Sequence, residues 1–320
     1  MVREAAEMGN LREATHALVD GVRYSHAFER LYSRDDIADI EPLYLTTRWA
    51  SLAEQGPILV RLRGTGLPDE VLRDEQGEWP RALTWLQTDA SSAELADHLR
   101  QFVTFRGTGQ HEKLLRFADP LVTRHWLASH GNAVPADVMG SVHKWWVAEW
   151  SPSWGVASVL AWHAFQSDES SRFGEHDERP LQNVLGAPQL AALEAVTRWQ
   201  FKEQLAEHFQ DSASQAWQAL PPEGRGEWMD ARIDDAMAWG ASTERQIAIW
   251  LDLSLHWGEN FMSASDGLYL HWIARTAQAA GLSRQERLYA LDVWSRTPEA
   301  MALQGKASSR TISENEVSDD

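Results

Sequence analysis

The spacing of hydrophobic residues divides the chain into two halves with different secondary structure. In the first half, apolar runs of strand length alternate with segments whose apolar residues recur every three or four positions. Strands are predicted at "PLYLTT" (42–47), "PILVRL" (57–62), "RALTWLQTD" (81–89) and "HKWWVAEW" (143–150), the last of them closing the sheet. Helices are predicted at 26–32, at 48–56 and within 64–80. This alternation predicts an α/β, or α+β, N-terminal lobe with a mixed sheet.

Two local patterns refine the end of this lobe. Ser91 and Glu94 have the spacing of a capping box, and the apolar stripe that follows predicts a helix. The stretch "FVTFRGTGQHEKLLRF" (102–117) predicts two extended runs joined by a glycine-containing turn, which is a hairpin.

Beyond Pro188 the pattern is helical throughout, which predicts an all-α C-terminal lobe of about four or five helices. The polar segment 167–180 is interpreted as a linker or mobile loop, and the acidic tail 297–320 is predicted to be disordered. The predicted domains are an extension at 1–15, the α/β lobe at 16–152, a linker region at 153–187, the helical lobe at 188–296 and the tail at 297–320.

Composition and charge narrow the class of protein. The chain has 320 residues, no cysteine and a formal net charge of −18. Disulfides and thiolate chemistry are therefore excluded, and an acidic surface repels the phosphates of nucleic acid. The N-terminus has no secretory h-region, and the longest apolar stretch, 154–165, is shorter than the roughly 20 residues that span a membrane. We expect a cytoplasmic protein that does not insert into membranes.

Motifs for catalysis and metal binding are weak in this sequence. The histidines make no H-E-x-x-H pair, and His125 and His130 are five positions apart, on different faces of a helix. The chain contains no G-x-S-x-G elbow and no phosphate-binding glycine loop. We therefore expect a protein that is not an enzyme, with no metal and no cofactor.

The stretch "KLLRFADPLVTRHWL" (113–127) switches from strand to helix at Asp119-Pro120. A catalytic carboxylate is one interpretation of Asp119, and a helix cap is another. Asp119 can accept hydrogen bonds from the first helical N–H groups, and Pro120 suits the first helical position. Arg116 could pair with Asp119 or with a carboxylate elsewhere. The physics of a capped junction explains the stretch without catalysis.

Seventeen tryptophans are the unusual feature of the composition. Tryptophan is enriched at protein interfaces, although each residue can also simply fill a core. Successive side chains on a strand point to opposite faces, so Trp145 and Trp146 cannot share a layer, and we expect one of them to be exposed. The candidate contacts are Trp145, Trp146, Trp150, Trp250, Trp257 and Phe261.

An ordered series of motifs resembles the DUF4123 family. It begins with strand-like segments at "ALVDGV" and "EPLYLTTRWASLAEQGPILVRL". A helix and then a strand-to-helix junction follow, with the matching residues Ser91, Leu95, His98, Leu99 and Arg100, then Leu115, Arg116, Phe117, Asp119 and Pro120. The resemblance covers roughly Ala17 to Trp150. In the helical half, "IWLDLSLHWGENFM" is similar to a further family segment through Trp250, Leu253, Gly258 and Phe261.

This resemblance implies a non-catalytic adaptor, or effector chaperone, of the type VI secretion system. Such adaptors bind a toxic effector in the cytoplasm of the producing bacterium and help to deliver it to the VgrG spike, sometimes with a PAAR tip. The two lobes would flank a groove for partners. An immunity protein that neutralises a toxin is the alternative, and a hydrolase with an unrecognised site is a third possibility.

Overall fold

The computed structural model describes residues 8–73, 77–106, 112–131, 133–167, 185–212, 214–265 and 267–303. By its internal contacts the chain forms two compact units. The strand-rich unit comprises the described residues up to Ser151 together with those from Ser158 to Arg198. The helical unit comprises Pro152–Ala157 and the described residues from Trp199 onwards. A mixed α/β region followed by an all-α region is the fold class that the sequence predicts, and it is confirmed.

A six-stranded sheet is the centre of the strand-rich unit. Its strands are β1 (His16–Asp20), β2 (Ile37–Pro42), β3 (Pro57–Leu62), β4 (Leu83–Thr88), β7 (Val142–Glu149) and β8 (Ala161–Phe165). They follow the order β2-β3-β1-β4-β7-β8, and each neighbouring pair is antiparallel. The predicted mixture of parallel and antiparallel strands is therefore wrong for this sheet.

The remaining elements of this unit are short helices and one hairpin. The helices are α1 (Ala27–Tyr32), α2 (Gly66–Arg73), α3 (Trp79–Ala82), α4 (Ser92–Arg100), α5 (Pro120–Ala128) and α6 (Ala136–Met139), with 3-10 helices at Met8–Glu13 and Ala50–Gln55. The predicted hairpin is confirmed as β5 (Thr104–Arg106) paired with β6 (Glu112–Leu114). Its connecting turn, 107–111, lies outside the described residues.

Two strand predictions in this unit are wrong. Residues 43–49 form turns rather than a strand, because β2 ends at Pro42 and the chain then enters the 3-10 helix at Ala50. The strand at 143–150 is not the last one either. β8 pairs with β7 and forms the sheet edge, and it lies within the apolar stretch 154–165 that was too short for a membrane span.

The helical unit is built from helices of very different length. They are α7 (Ala187–Ser212), α8 (Ser214–Ala219), α9 (Pro222–Trp239), α10 (Glu244–Trp257), α11 (Leu268–Arg275) and α12 (Arg284–Ser295), with a 3-10 helix at Ala277–Gly281. The division between the two units falls within α7, after Arg198. No helix among the described residues combines the length and the apolar character that crossing a membrane requires.

The two segments predicted to lack structure fall largely outside the described residues. Of the predicted loop 167–180, the structure describes only Ser167, which forms an isolated bridge with Val134. Residues 298–303 are helical, so the predicted disorder is wrong for the start of the tail. Residues 304–320 are not described.

Each unit has its own apolar core. In the strand-rich unit, Trp85, Trp146 and Trp162 belong to one buried cluster together with residues of α1, α2 and α3. In the helical unit the buried cluster runs from α7 to α12 and contains Trp217, Trp250 and Trp272. Burial of such large side chains removes on the order of 150–250 Å² of surface each, so much of the tryptophan content serves the two cores.

Candidate functional site

The junction at Asp119 is a capped helix start whose carboxylate also joins an ion-pair network. Asp119 is fully buried, and its side chain accepts a hydrogen bond of 3.0 Å from the backbone N–H of Leu121, at the N-terminus of α5. Pro120 follows as the first helical residue, as predicted. The preceding strand ends at Leu114 rather than at Phe117, which is buried in the turn between them.

Two arginines and a second carboxylate complete the network. Arg23 donates to Asp119 at 3.1 Å, and Arg116 lies 3.5 Å from Asp119. Arg116 also donates to both oxygens of Asp20, at 2.8 and 3.0 Å. Burial raises the pKa of Asp20 above its ordinary value, although Arg116 opposes this shift. Two positive charges balance two negative ones, so ion pairing and helix capping account for these groups.

A small pocket lies beside this network on the strand-rich unit. We call it the Arg116 pocket, and it has a volume of about 140 Å³. Asp20, Tyr44 and Arg116 line it, together with the exposed apolar residues Val22, Leu52 and Leu114. Exposed apolar side chains around a charged centre suit contact with another protein.

The structure buries four of the six aromatic residues that were candidates for partner contacts. Trp145 and Trp146 are both 0% exposed. They do face opposite layers: Trp146 belongs to the cluster with α3, whereas Trp145 packs edge-on against Trp126 of α5. Helices therefore cover both faces of β7, and the expectation that one of the two is exposed is wrong.

The candidates in the helical unit divide in the same way. Trp250 and Phe261 are buried, with ring centroids 5.0 Å apart, and belong to the core. Trp257 is half-buried and packs against that core. In the strand-rich unit Trp150 is also half-buried, with Arg81 and Arg124 over its ring. A partner can reach Trp150 and Trp257 directly, and their role in binding stays a prediction.

The larger concave surface is a groove on the helical unit, with a volume of about 760 Å³. We call it the α9–α12 groove; its lining residues include Asp235, Trp239, Trp250, Glu259, Met262, Tyr269, Arg284 and Arg287. The rings of Trp239 and Trp250 lie 5.3 Å apart. A groove of this size holds several side chains of a ligand.

One group in the floor of the α9–α12 groove lacks a partner. The indole N–H of Trp250 is buried and has no hydrogen-bond partner among the described residues. An unsatisfied buried donor costs free energy, on the order of 1–3 kcal/mol. Sequence reasoning selected Trp250 but not Trp239, Arg284 or Arg287, because nothing in their spacing distinguishes them from surface residues of ordinary helices.

Metal binding finds no support in the described part of the chain. Among the described residues, no three histidine or acidic side chains come together in a way that could hold a metal ion. His125 and His130 occupy the end of α5 and the turn after it, and burial lowers the pKa of His130 below its ordinary value.

The structure thus shows two compact units, each with a concave surface. In a comparison with known families, residues 15–134 match the family described as "Domain of unknown function (DUF4123)". This is the family that the motif series resembles, and the matched residues lie in the strand-rich unit. The match ends before β7, so the resemblance of the helical half stays a prediction. No curated protein and no solved structure matches the chain.

Proposed function

We propose that this protein is a type VI secretion adaptor that binds a toxic effector in the bacterial cytoplasm and loads it onto the VgrG spike, with or without a PAAR tip. The observation that supports the proposal is the DUF4123 match over residues 15–134. That range includes two motifs of the series that resembles the family: the capped helix at Ser91 and the junction at Asp119.

The proposed role is non-catalytic, and the geometry is consistent with it. The polar groups that meet at Asp119 are engaged in ion pairs and in capping α5. The Arg116 pocket and the α9–α12 groove present apolar and aromatic side chains beside charges, a combination that hot spots of protein interfaces favour. An adaptor needs surface for two partners, and each unit supplies one candidate surface.

Co-purification tests this proposal. The tagged full-length protein is expressed with its genomic neighbours in its own bacterium, captured, and its partners are identified by mass spectrometry. We expect one toxin-like effector to be recovered together with VgrG. A parallel capture with the same tag on an unrelated cytoplasmic protein sets the background.

The remaining outcomes of that capture are informative. A toxin recovered without VgrG, and inactive in the pure complex, indicates an immunity protein rather than an adaptor. Recovery of neither partner, when the bait is folded and its neighbours are expressed, contradicts the proposal.

A further inference from the structure

Two arginines at the start of α12 line the α9–α12 groove without a carboxylate partner. Arg284 donates to the main-chain carbonyl of Trp239 at 2.7 Å, and its guanidinium lies 5.7 Å from the centre of the Trp239 ring. Arg287 donates to the carbonyls of Leu282 and Ala280. Neither forms an ion pair with any residue that the structure describes. No carboxylate among the described residues therefore offsets either positive charge at the groove.

The acidic side chains of the same groove are already paired. Asp235 lies 2.9 Å from the guanidinium of Arg232, and Glu259 forms an ion pair with the same arginine. Arg232 thus holds the two groove carboxylates on the α9 side. Of the four charged side chains that line the groove, two are acidic and two are arginines, so their charges sum to zero. Only the two arginines of α12 lack a charged partner among the described residues.

This local charge contrasts with the rest of the molecule. The chain as a whole carries a formal net charge of −18, so a groove with a balanced charged lining, in which two arginines have no carboxylate partner among the described residues, is distinctive. Opposite charge steers a partner towards such a site and excludes segments of the wrong sign. An arginine fork is also suited to bidentate binding of a carboxylate.

Besides a carboxylate, the groove requires apolar groups of its ligand. Trp239 and Trp250 form the aromatic floor, and Met262 and Tyr269 also line the groove. Aromatic rings offer a large apolar contact area, and methionine adapts to apolar groups of different shape. A ligand that fills this space needs an apolar or aromatic residue next to its carboxylate.

We propose that the α9–α12 groove binds an acidic, apolar peptide segment of a partner protein. Its carboxylates contact Arg284 and Arg287, and its neighbouring apolar side chains pack on Trp239, Trp250 and Met262. This inference deepens the proposed adaptor function, on which it rests, by naming the chemistry of the segment that one partner presents.

Methyl NMR of the full chain tests this with site resolution. The protein has only seven methionines, so ¹³C-methyl labelling gives few signals. Met262 lines the groove, whereas Met139 is buried in the strand-rich unit and reports on folding and on non-specific effects. The probe is a terminally blocked octapeptide in which two glutamates flank a leucine–phenylalanine pair, with glycine and serine elsewhere.

We expect the Met262 signal to shift saturably with this peptide while the Met139 signal stays in place. Two matched peptides separate the requirements. Replacing the glutamates by lysines removes the charge complementarity, and replacing the leucine–phenylalanine pair by glycines removes the apolar contact. Each change is expected to weaken binding by about tenfold or more, equivalent to losing one good interaction.

Protein variants locate the carboxylate contact. Arg284→Gln and Arg287→Gln are each expected to weaken binding of the glutamate peptide by about tenfold. Arg296→Gln is the matched control, because Arg296 follows α12 directly and is already paired with Asp292 at 2.9 Å. That control is expected to bind the peptide as the wild-type protein does. If one of the two groove variants does not fold, the other still tests the carboxylate contact.

Several results would overturn the inference. They are an unmoved Met262 signal, equal shifts with the lysine peptide, and unchanged affinity in both folded groove variants. A Met262 signal that moves with protein concentration alone would instead make a second copy the occupant. The titration needs only the purified chain, so its outcome is independent of whether effector and VgrG are recovered. If effector and VgrG are recovered but the peptide does not bind, the proposed adaptor function stands and only the proposed binding of an acidic segment in the groove is rejected.

Discussion

At the scale of single residues, Asp119 shows how a local signal and a distant one combine. The sequence predicted its cap on α5 and left Arg116 to pair either with Asp119 or with a carboxylate elsewhere; in the structure Arg116 contacts both Asp119 and Asp20. It did not predict Arg23 or Asp20, which lie about a hundred residues away in sequence and meet Asp119 and Arg116 only in the folded sheet. Hydrogen bonds between residues close in sequence can be predicted from their spacing, whereas an ion-pair network of four residues from distant segments cannot.

Asp119→Ala is expected to lower the free energy of unfolding by about 2 kcal/mol. The substitution removes a helix cap, usually about 1 kcal/mol, and leaves two arginines without this carboxylate. Asp119→Asn keeps an oxygen acceptor for the N–H of Leu121 and should lose less. Urea denaturation measures both variants. Asp97→Asn is the control, since that side chain is 79% exposed, and an equal loss in the control would contradict the assignment.

His16 on β1 should make stability depend on pH. Burial lowers its pKa from 6.5 to about 4, with Arg61 adding to the shift and Asp39 opposing it. As the pH falls below about 6.5, His16 becomes protonated in the unfolded chain but stays neutral in the folded chain until the pH nears 4. The free energy of unfolding therefore falls as the pH is lowered through this range. Between pH 8 and pH 5.5 we expect a loss on the order of 1 kcal/mol from this residue.

Urea denaturation of wild-type protein and of His16→Gln at the two pH values measures this contribution. The variant should lose less stability than the wild type on acidification, because glutamine does not titrate. Other histidines that are partly buried, such as His98 and His130, have lowered pKa values too and affect both proteins alike. A pH dependence that is identical in the two proteins would show that His16 is not buried in its neutral form.

At the scale of elements, helix starts were the most predictable feature. Ser91 and Glu94 form the predicted capping box at the start of α4. The same box recurs at Ser283 and Glu286 before α12, where the sequence carried the same spacing. Strand order was not predictable in the same way. β8 was missed because the apolar stretch 154–165 was considered only as a possible membrane span. The antiparallel pairing of the sheet is fixed by contacts between distant segments.

Ser91→Ala is expected to cost about 1 kcal/mol of stability, the usual value of an N-cap serine. Its side chain accepts a hydrogen bond from the N–H of Glu94, and the backbone N–H of Ser91 donates one to the carboxylate of Glu94. Chemical denaturation gives the change in unfolding free energy. Ser153→Ala is a suitable control, because the described hydrogen bond at that residue comes from its backbone N–H. A change of less than a few tenths of a kcal/mol for Ser91→Ala would rule out a working cap.

At the scale of the whole molecule, the chain offers one candidate partner surface on each unit. The Arg116 pocket lies within the residues matched by the DUF4123 family, and the α9–α12 groove lies outside them. One candidate surface therefore lies inside the matched residues and the other lies outside them. If the first is to engage a common spike and the second is to select a particular cargo, the two partners should be separable by mutation.

Leu52→Asp and Arg284→Glu test that separation in the full-length protein. Leu52 is 36% exposed at the rim of the Arg116 pocket, so a charge there should disturb a partner without unfolding the chain. We expect each variant to lose one partner, VgrG or effector, and to keep the other, with a loss of about 2 kcal/mol in the affected complex. Affinity to each purified partner is measured by calorimetry.

Val293→Asp is the matched control for both variants, because Val293 is 70% exposed on α12 and does not line the groove. Variants that both lose the same partner would place one interface across the two surfaces. Variants that lose neither, although folded, would remove both surfaces from the adaptor's function. If Leu52→Asp binds the effector but not VgrG, and Arg284→Glu binds VgrG but not the effector, the Arg116 pocket is the spike-binding surface and the α9–α12 groove is the effector-binding surface.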